Sequence, residues 1–177
     1  MQRESELHFS KTTLEVSLVV RNLVRNAERR FSATVNYAFN GDGTALVIET
    51  RESGDSSDLR TLKWLDLTSG RLATIWTGHL ASAIDDDRFF DPSGEQLTFL
   101  ARPSGESSVS EIWYFQSGMA SAELKGSTKA TGLIAGRQIS DPPYFSRNGK
   151  MLAFARTESG APKKHEPGGR AGQCLEL

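Results

Sequence analysis

Gly54-Asp55-Ser56-Ser57 sets a serine beside an aspartate, the residue types of a nucleophilic site. A serine hydroxyl attacks only when a histidine base sits against it, and no Asp-x-x-His follows this segment. Gly, Asp and Ser together are also ordinary turn chemistry, so the segment is expected to be a hairpin loop. Asn40, Asp42, Gly43 and Glu49 match positions 3, 5, 6 and 12 of a helix–loop–helix calcium loop, but position 1 is Ala38. Without the first carboxylate a primary oxygen ligand and its charge are missing, and the residues read as another turn. His8, His79 and His165 are too far apart to share a metal, and Cys174 is the one cysteine, which excludes an internal disulfide and a cysteine metal cluster. No Gly-x-Ser-x-Gly occurs. No catalytic, metal or cofactor residue is therefore assigned.

One charged cluster stays open. Asp85, Asp86 and Asp87 form an acidic run that either lies in a solvated loop or gathers a basic ligand or cation. Which of these holds depends on the elements around the run.

Those elements repeat. Segments 37–48, 88–100 and 143–155 share an aromatic residue, a polar turn ending in glycine, and an apolar run three residues later. The aromatics Phe39, Phe90 and Phe145 are spaced by 51 and 55 residues, and Gly43, Gly94 and Gly149 keep the same intervals. Asp42-Gly43, Ser93-Gly94 and Asn148-Gly149 are hairpin turn pairs, because glycine reaches positive φ without a Cβ clash. The apolar runs have the β-branched and aromatic bias of buried strands. Segments 59–67 and 72–76, joined at Thr68-Ser69-Gly70, supply a second strand pair, and Glu111 to Phe115 followed by Gln116-Ser117-Gly118 takes the corresponding place in the next unit. Four antiparallel strands per unit, recurring at such a period, predict propeller blades. On this reading Asp85, Asp86 and Asp87 precede an inner strand, near the central channel. Trp64, Trp76 and Trp113 fall in third and fourth strands, where indoles fill the space between blades.

The chain begins and ends out of phase. Residues 14–34 match only third and fourth strands, with Arg21-Asn22-Leu23 placed like Leu65-Asp66-Leu67. The expected order is an N-terminal segment at 1–13, a half blade at 14–34, blades at 35–80 and 81–135, a half blade at 136–157, and a disordered tail at 158–177. The fold class is all-β, a partial β-propeller. Three blades' worth of strands falls short of the roughly four to eight that close a ring, so open faces and edges predict self-association.

The pattern Phe-(Ser/Asn/Asp)-x-(Asp/Asn/Ser)-Gly-x-x-Leu-x-Phe, clearest at Phe90 to Phe99 and Phe145 to Phe154, resembles TolB-like propellers. It is similar also to the propellers that precede the hydrolase domain of prolyl-oligopeptidase-type serine peptidases. The resemblance covers about residues 14 to 157, although the usual Ser-Pro-Asp-Gly turn is nowhere intact. It implies a non-catalytic module that binds protein or peptide, or else a fragment of a substrate-gating peptidase propeller without its α/β-hydrolase domain.

Composition narrows the remaining partners. In 177 residues, 21 Lys and Arg face 22 Asp and Glu, a net charge of −1. Arg29-Arg30 and Lys163-Lys164 are too short and too separated for a basic patch, so no nucleic-acid partner is expected. No run approaches the ~18 apolar residues of a membrane span. Residues 1–6 lack the apolar core of a signal peptide, and the compartment stays open.

Overall fold

Leu46-Val47-Ile48 and Leu97-Thr98-Phe99-Leu100 carry apolar or β-branched side chains at consecutive positions. On a strand such side chains point alternately to opposite faces, so each segment needs a packing partner on both sides. The computed structural model describes residues 17–51, 59–80, 90–102, 109–128, 138–139, 143–157 and 172–176. Among them every regular element is a strand. They are β1 (Leu18–Asn22), β2 (Ala27–Phe31), β3 (Thr34–Phe39), β4 (Ala45–Arg51), β5 (Arg60–Asp66), β6 (Leu72–Leu80), β7 (Gln96–Arg102), β8 (Glu111–Gln116), β9 (Glu123–Ser127), β10 (Gln138–Ile139), β11 (Tyr144–Phe145), β12 (Met151–Thr157) and β13 (Gly172–Glu176).

All pairing is antiparallel. β1 and β2 form a hairpin, β3 to β9 run as a meander, and β12 pairs with β10 and β11 on one edge and β13 on the other. The meander narrows in the middle: β6 meets β7 only at His79 opposite Arg102 and Leu80 opposite Ala101. It is therefore two units, β3–β6 and β7–β9. At the other end of β7, Phe90 bridges Leu97. The inner strand of the second unit is thus split into two pieces flanking 81–89, as β10 and β11 flank 140–142 in the last unit. In the first unit β3 is continuous, with an irregularity between Thr34 and Asn36.

Three apolar clusters stack these units. Phe31, Leu46, Ile48 and Leu65 join the hairpin to the first unit, with Leu18 and Val20 against them. Val47, Leu62, Trp64, Ile75, Trp76, Phe90, Leu97, Phe99 and Phe115 join the first unit to the second. Leu100, Ile112, Ile139, Leu152 and Phe154 join the second to the last. Alternation along single strands does this: Leu46 and Ile48 face back toward the hairpin while Val47 faces forward. The three indoles lie at the middle junction, with Trp64 5.2 Å from Phe115, and Trp76 5.2 Å from Phe99 and 6.1 Å from Trp113 between ring centroids.

The units also match bond for bond at their turns. Gly43 donates its N–H to Asn40 O at 3.0 Å, Gly94 to Asp91 O at 2.9 Å and Gly149 to Ser146 O at 2.9 Å. The side chain of the first turn residue accepts from the N–H five residues on: Ala45 to Asn40 Oδ1, Gln96 to Asp91 Oδ1 and Met151 to Ser146 Oγ, at 2.8, 2.8 and 3.0 Å. The glycines sit at φ of 72°, 73° and 69°. In the hairpin, Asn22 Oδ1 accepts from Val24 and Arg25 N–H as Asp66 Oδ1 accepts from Thr68 and Ser69. That equivalence makes β1 a third strand.

The tail departs from expectation. Residues 172–176 are strand rather than disordered, and β13 pairs β12 from Met151 opposite Glu176 to Ala155 opposite Gly172. The aperiodic, Gly- and Pro-rich stretch before it hides a short segment that an unpaired strand edge can order, since the edge supplies a ready row of donors and acceptors. Residues 158–171 lie outside the described residues.

Consecutive turns touch. A Cβ at Gly94 would lie 2.8 Å from Asn40 Nδ2 and 3.1 Å from Asn40 Cβ, whereas one at Gly43 would meet nothing within 4 Å. Both glycines have the same left-handed backbone. Gly43→Ala should therefore cost about 1 kcal/mol, the backbone strain alone. Gly94→Ala should cost roughly 1–3 kcal/mol more, from overpacking against the neighbouring turn. Urea unfolding of the two variants checks the difference; equal losses would mean the turns do not bear on one another.

Candidate binding groove

The repeated aromatics end the inner strands, each just before its turn. The turn's second residue is small in the first unit, Gly41, and rigid in the second, Pro92, whereas the last unit has Arg147. In the first two units this leaves an open trough beside the aromatics. Phe39, Gly41, Phe90, Asp91, Pro92, Tyr144 and Phe145 line a groove of about 340 Å³ that crosses from the first unit to the last. That is within the roughly 300–1,000 Å³ of ligand-holding clefts. Its walls are mainly aromatic, and Phe39 and Tyr144 are exposed while Phe90 is buried.

The one carboxylate in the lining is inward-tied. Asp91 is 5% exposed, and its carboxylate accepts from Ser93 N at 3.1 Å, Ser93 Oγ at 2.6 Å, Gln96 N at 2.8 Å and Gln96 Nε2 at 3.2 Å. Four donors hold the turn shape, and none of the described lining residues aims a free charge into the groove. Ser93 has a carboxylate beside it but, among the described residues, no histidine base of the kind a nucleophile needs. Behind the turn the network continues: Tyr114 Oη donates to Gln96 Oε1 at 2.9 Å. Burial pushes the Tyr114 phenol above its usual value, and the Asp91 and Glu123 charges add to this.

Of the residues singled out in the sequence, Phe39, Phe90 and Phe145 come together here. Asp42, Gly43, Ser93, Gly94, Asn148 and Gly149 build the turns. Asp42 Oδ1 accepts from Thr44 N and Oγ1 at 3.0 and 2.7 Å, which holds its carboxyl below the usual range. Ser146 Oγ donates to Asn148 Oδ1 at 2.7 Å. Glu49 does not join the calcium-like set: it is buried in β4, with Arg60 Nη1 2.9 Å from its Oε1. Arg29 donates to Gly70 O at 2.9 Å, a rivet between hairpin and first unit. Asp85, Asp86, Asp87, residues 54–57, His8 and His165 lie outside the described residues. Among the described residues no group of three His, Cys, Asp or Glu could hold a metal, and no helix is long and apolar enough to cross a membrane. Sequence reasoning did not find Tyr144, although an aromatic, Phe89, stands at the equivalent place before Phe90, because the first unit has Ala38 there.

Split inner strands, four-position units and face-to-face stacking are the geometry of blades around an axis. The propeller domain of the Trilobed protease from Pyrococcus furiosus, described as having an open velcro topology, superposes on the chain with a TM-score of 0.58 at 11% identity, over 92% of this chain and 49% of that one. The fold is a β-propeller. Likeness extends at lower scores to acylaminoacyl peptidase of Pyrococcus horikoshii (TM-score 0.45, 10% identity, 83% of this chain and 27% of that one) and to a prolyl endopeptidase (0.47, 13%, 86% and 25%). The chain spans about half the length of the Trilobed protease propeller. No protein-family model and no curated protein sequence matches it.

The phenol behind the groove gives a pH signature. The folded blade favours neutral Tyr114, so this stabilisation is complete below the unfolded value near 10 and is lost as pH rises through the raised folded one. Unfolding free energy measured by urea at about pH 9, 10 and 11 should fall across that window, and less steeply in Tyr114→Phe. Parallel curves for the two proteins would remove Tyr114 from the account.

Proposed function

We propose that this chain is a non-catalytic propeller segment that binds an extended apolar stretch of a protein or peptide in the aromatic groove. The observation that carries it is the lining: three units each deliver their repeat aromatic to one trough, and among the described residues that line it no free charge opposes an apolar guest. Aromatic walls of this kind contribute contact area at small entropic cost, since the rings are already held by the blades.

A second reading has its own support in the likeness to the Trilobed protease propeller. In it the segment belongs to the substrate-gating propeller of a prolyl-oligopeptidase-type serine peptidase, and the groove meets peptide on its way to a catalytic domain. Both readings place peptide at the same surface. They part on selectivity: a gate passes many sequences, whereas an interaction module prefers one.

Short displayed peptides rich in Phe, Leu and Pro, followed by calorimetric titration of those retained, test the proposal. Phe39→Ser and Tyr144→Ser should each weaken binding about tenfold, with little change in melting because both rings are exposed. A consensus among the retained peptides favours the module, and its absence the gate. No retained peptide, or affinities indifferent to both substitutions, would sink the groove as the site.

A further inference from the structure

The first and last described units carry complementary halves of a blade. β1 is a third strand by its turn, yet among the described residues it pairs only with β2. Beside it, Val35, Tyr37 and Phe39 on β3 are about half exposed, at 47, 51 and 50%. Tyr37 and Phe39 lie opposite Ile48 and Leu46, so they extend the apolar cluster that the hairpin already begins to cover. Their counterpart in the next blade, Phe90, is buried at 8% against the preceding inner strands. Among the described residues the stripe therefore lacks a first and a second strand in front of it. The last unit has both: β11 and β12.

The place next to β12 is taken by β13 in a third-strand register. Counting two residues past each turn glycine, Ala45 opposes Asp66, Gln96 opposes Gln116 and Met151 opposes Glu176. Asn22 of β1 is the equivalent of Asp66, so β1 of another copy fits the same register on β12. Among the described residues the hairpin supplies two strand positions, the meander eight with its split inner strand counted as one, and the last unit two without β13. Together they amount to three blades, and two copies to six, within the roughly four to eight that close a ring.

We infer that β13 is a plug, held in cis in the slot that the β1–β2 hairpin of a second copy would occupy, and that its withdrawal joins two copies head to tail. Each copy then lays its β11–β12 pair over the other's Val35, Tyr37 and Phe39. The exchange is strand addition at an edge with mass action deciding between cis and trans partners. It goes beyond the groove's ligand: neither Val35 nor Tyr37 lines the groove, so a failure of peptide binding and a failure of assembly are separate results.

The test keeps the full chain. Gln173→Pro/Cys174→Pro removes ladder donors from β13 and also the only cysteine. Light scattering should show the unaltered chain as a monomer, the double-proline variant as a dimer, and the same variant with Tyr37→Glu as a monomer again. In the double-proline background, a Val20→Cys chain mixed with an Ala153→Cys chain should give a covalent dimer on oxidation, more than tenfold above either chain alone, because Val20 and Ala153 take the places of Trp64 and Val47. Should circular dichroism show the prolines unfolding the chain, the same mixture in a Cys174→Ser background at high concentration should give the dimer slowly. A dimeric unaltered chain indifferent to Tyr37→Glu, a folded double-proline variant that stays monomeric, or no covalent dimer in either background would overturn the proposal.

Discussion

The structure depends on a left-handed glycine at the end of each inner hairpin turn. Positive φ at Gly43, Gly94 and Gly149 closes the turn tightly enough for its first residue to fold a side-chain oxygen back onto the following strand. Absence of a Cβ at Gly94 then lets Asn40 of the preceding blade donate to Gly94 O at 3.1 Å. The same approach recurs one blade on, where a Cβ at Gly149 would lie 2.9 Å from Gln96 Nε2 and 3.0 Å from Asp91 Oδ2. One backbone conformation thus fixes both the hairpin and the spacing between blades. Because the first turn residue can be Asn, Asp or Ser, the chemistry varies while the bond is kept.

Spacing matters because the blades are two-sided. β4 and β7 bury alternate residues against different neighbours, so neither blade holds a core without the next. The consequence is visible where neighbours stop. Phe90 is enclosed and its equivalent Phe39 is half exposed, in the same register and with the same side-chain type; the difference is the preceding inner strands alone. The groove follows from the same arithmetic of neighbours. Aromatics placed to seal each inner strand against the previous blade converge at the turn end, where Gly41 and Pro92 leave room.

Much of this was legible in the sequence because turn chemistry is local. Asp42-Gly43, Ser93-Gly94 and Asn148-Gly149 specify their φ through the glycine, and phenylalanines spaced by 51 and 55 residues mark one position in three copies. The candidate site was legible only in part. Phe39, Phe90 and Phe145 were recognisable as equivalents, but equivalence along a chain does not say that three rings share one trough. Tyr144 is matched by Phe89 in the second unit but by Ala38 in the first, so the repeat does not mark it, and the tail strand was invisible because β13 owes its conformation to the edge of β12 rather than to its own composition.

Other features exist only in three dimensions. The pairing of third and fourth strands slips between Leu62 and Lys63 and again between Ile112 and Trp113, equivalent places in two units although Lys63 and Trp113 differ in kind. Such bulges add twist, and no residue type announces them. By itself the sequence determined an all-β chain of repeated hairpins, since glycine turns and alternating burial are written residue by residue. The tertiary structure decided which apolar faces are covered, which aromatics meet, and which strand fills the slot beside β12. Those outcomes turn on contacts between residues distant in sequence, such as Trp64 with Phe115 and Met151 with Glu176, and chain-distant packing is a property of the assembled blades.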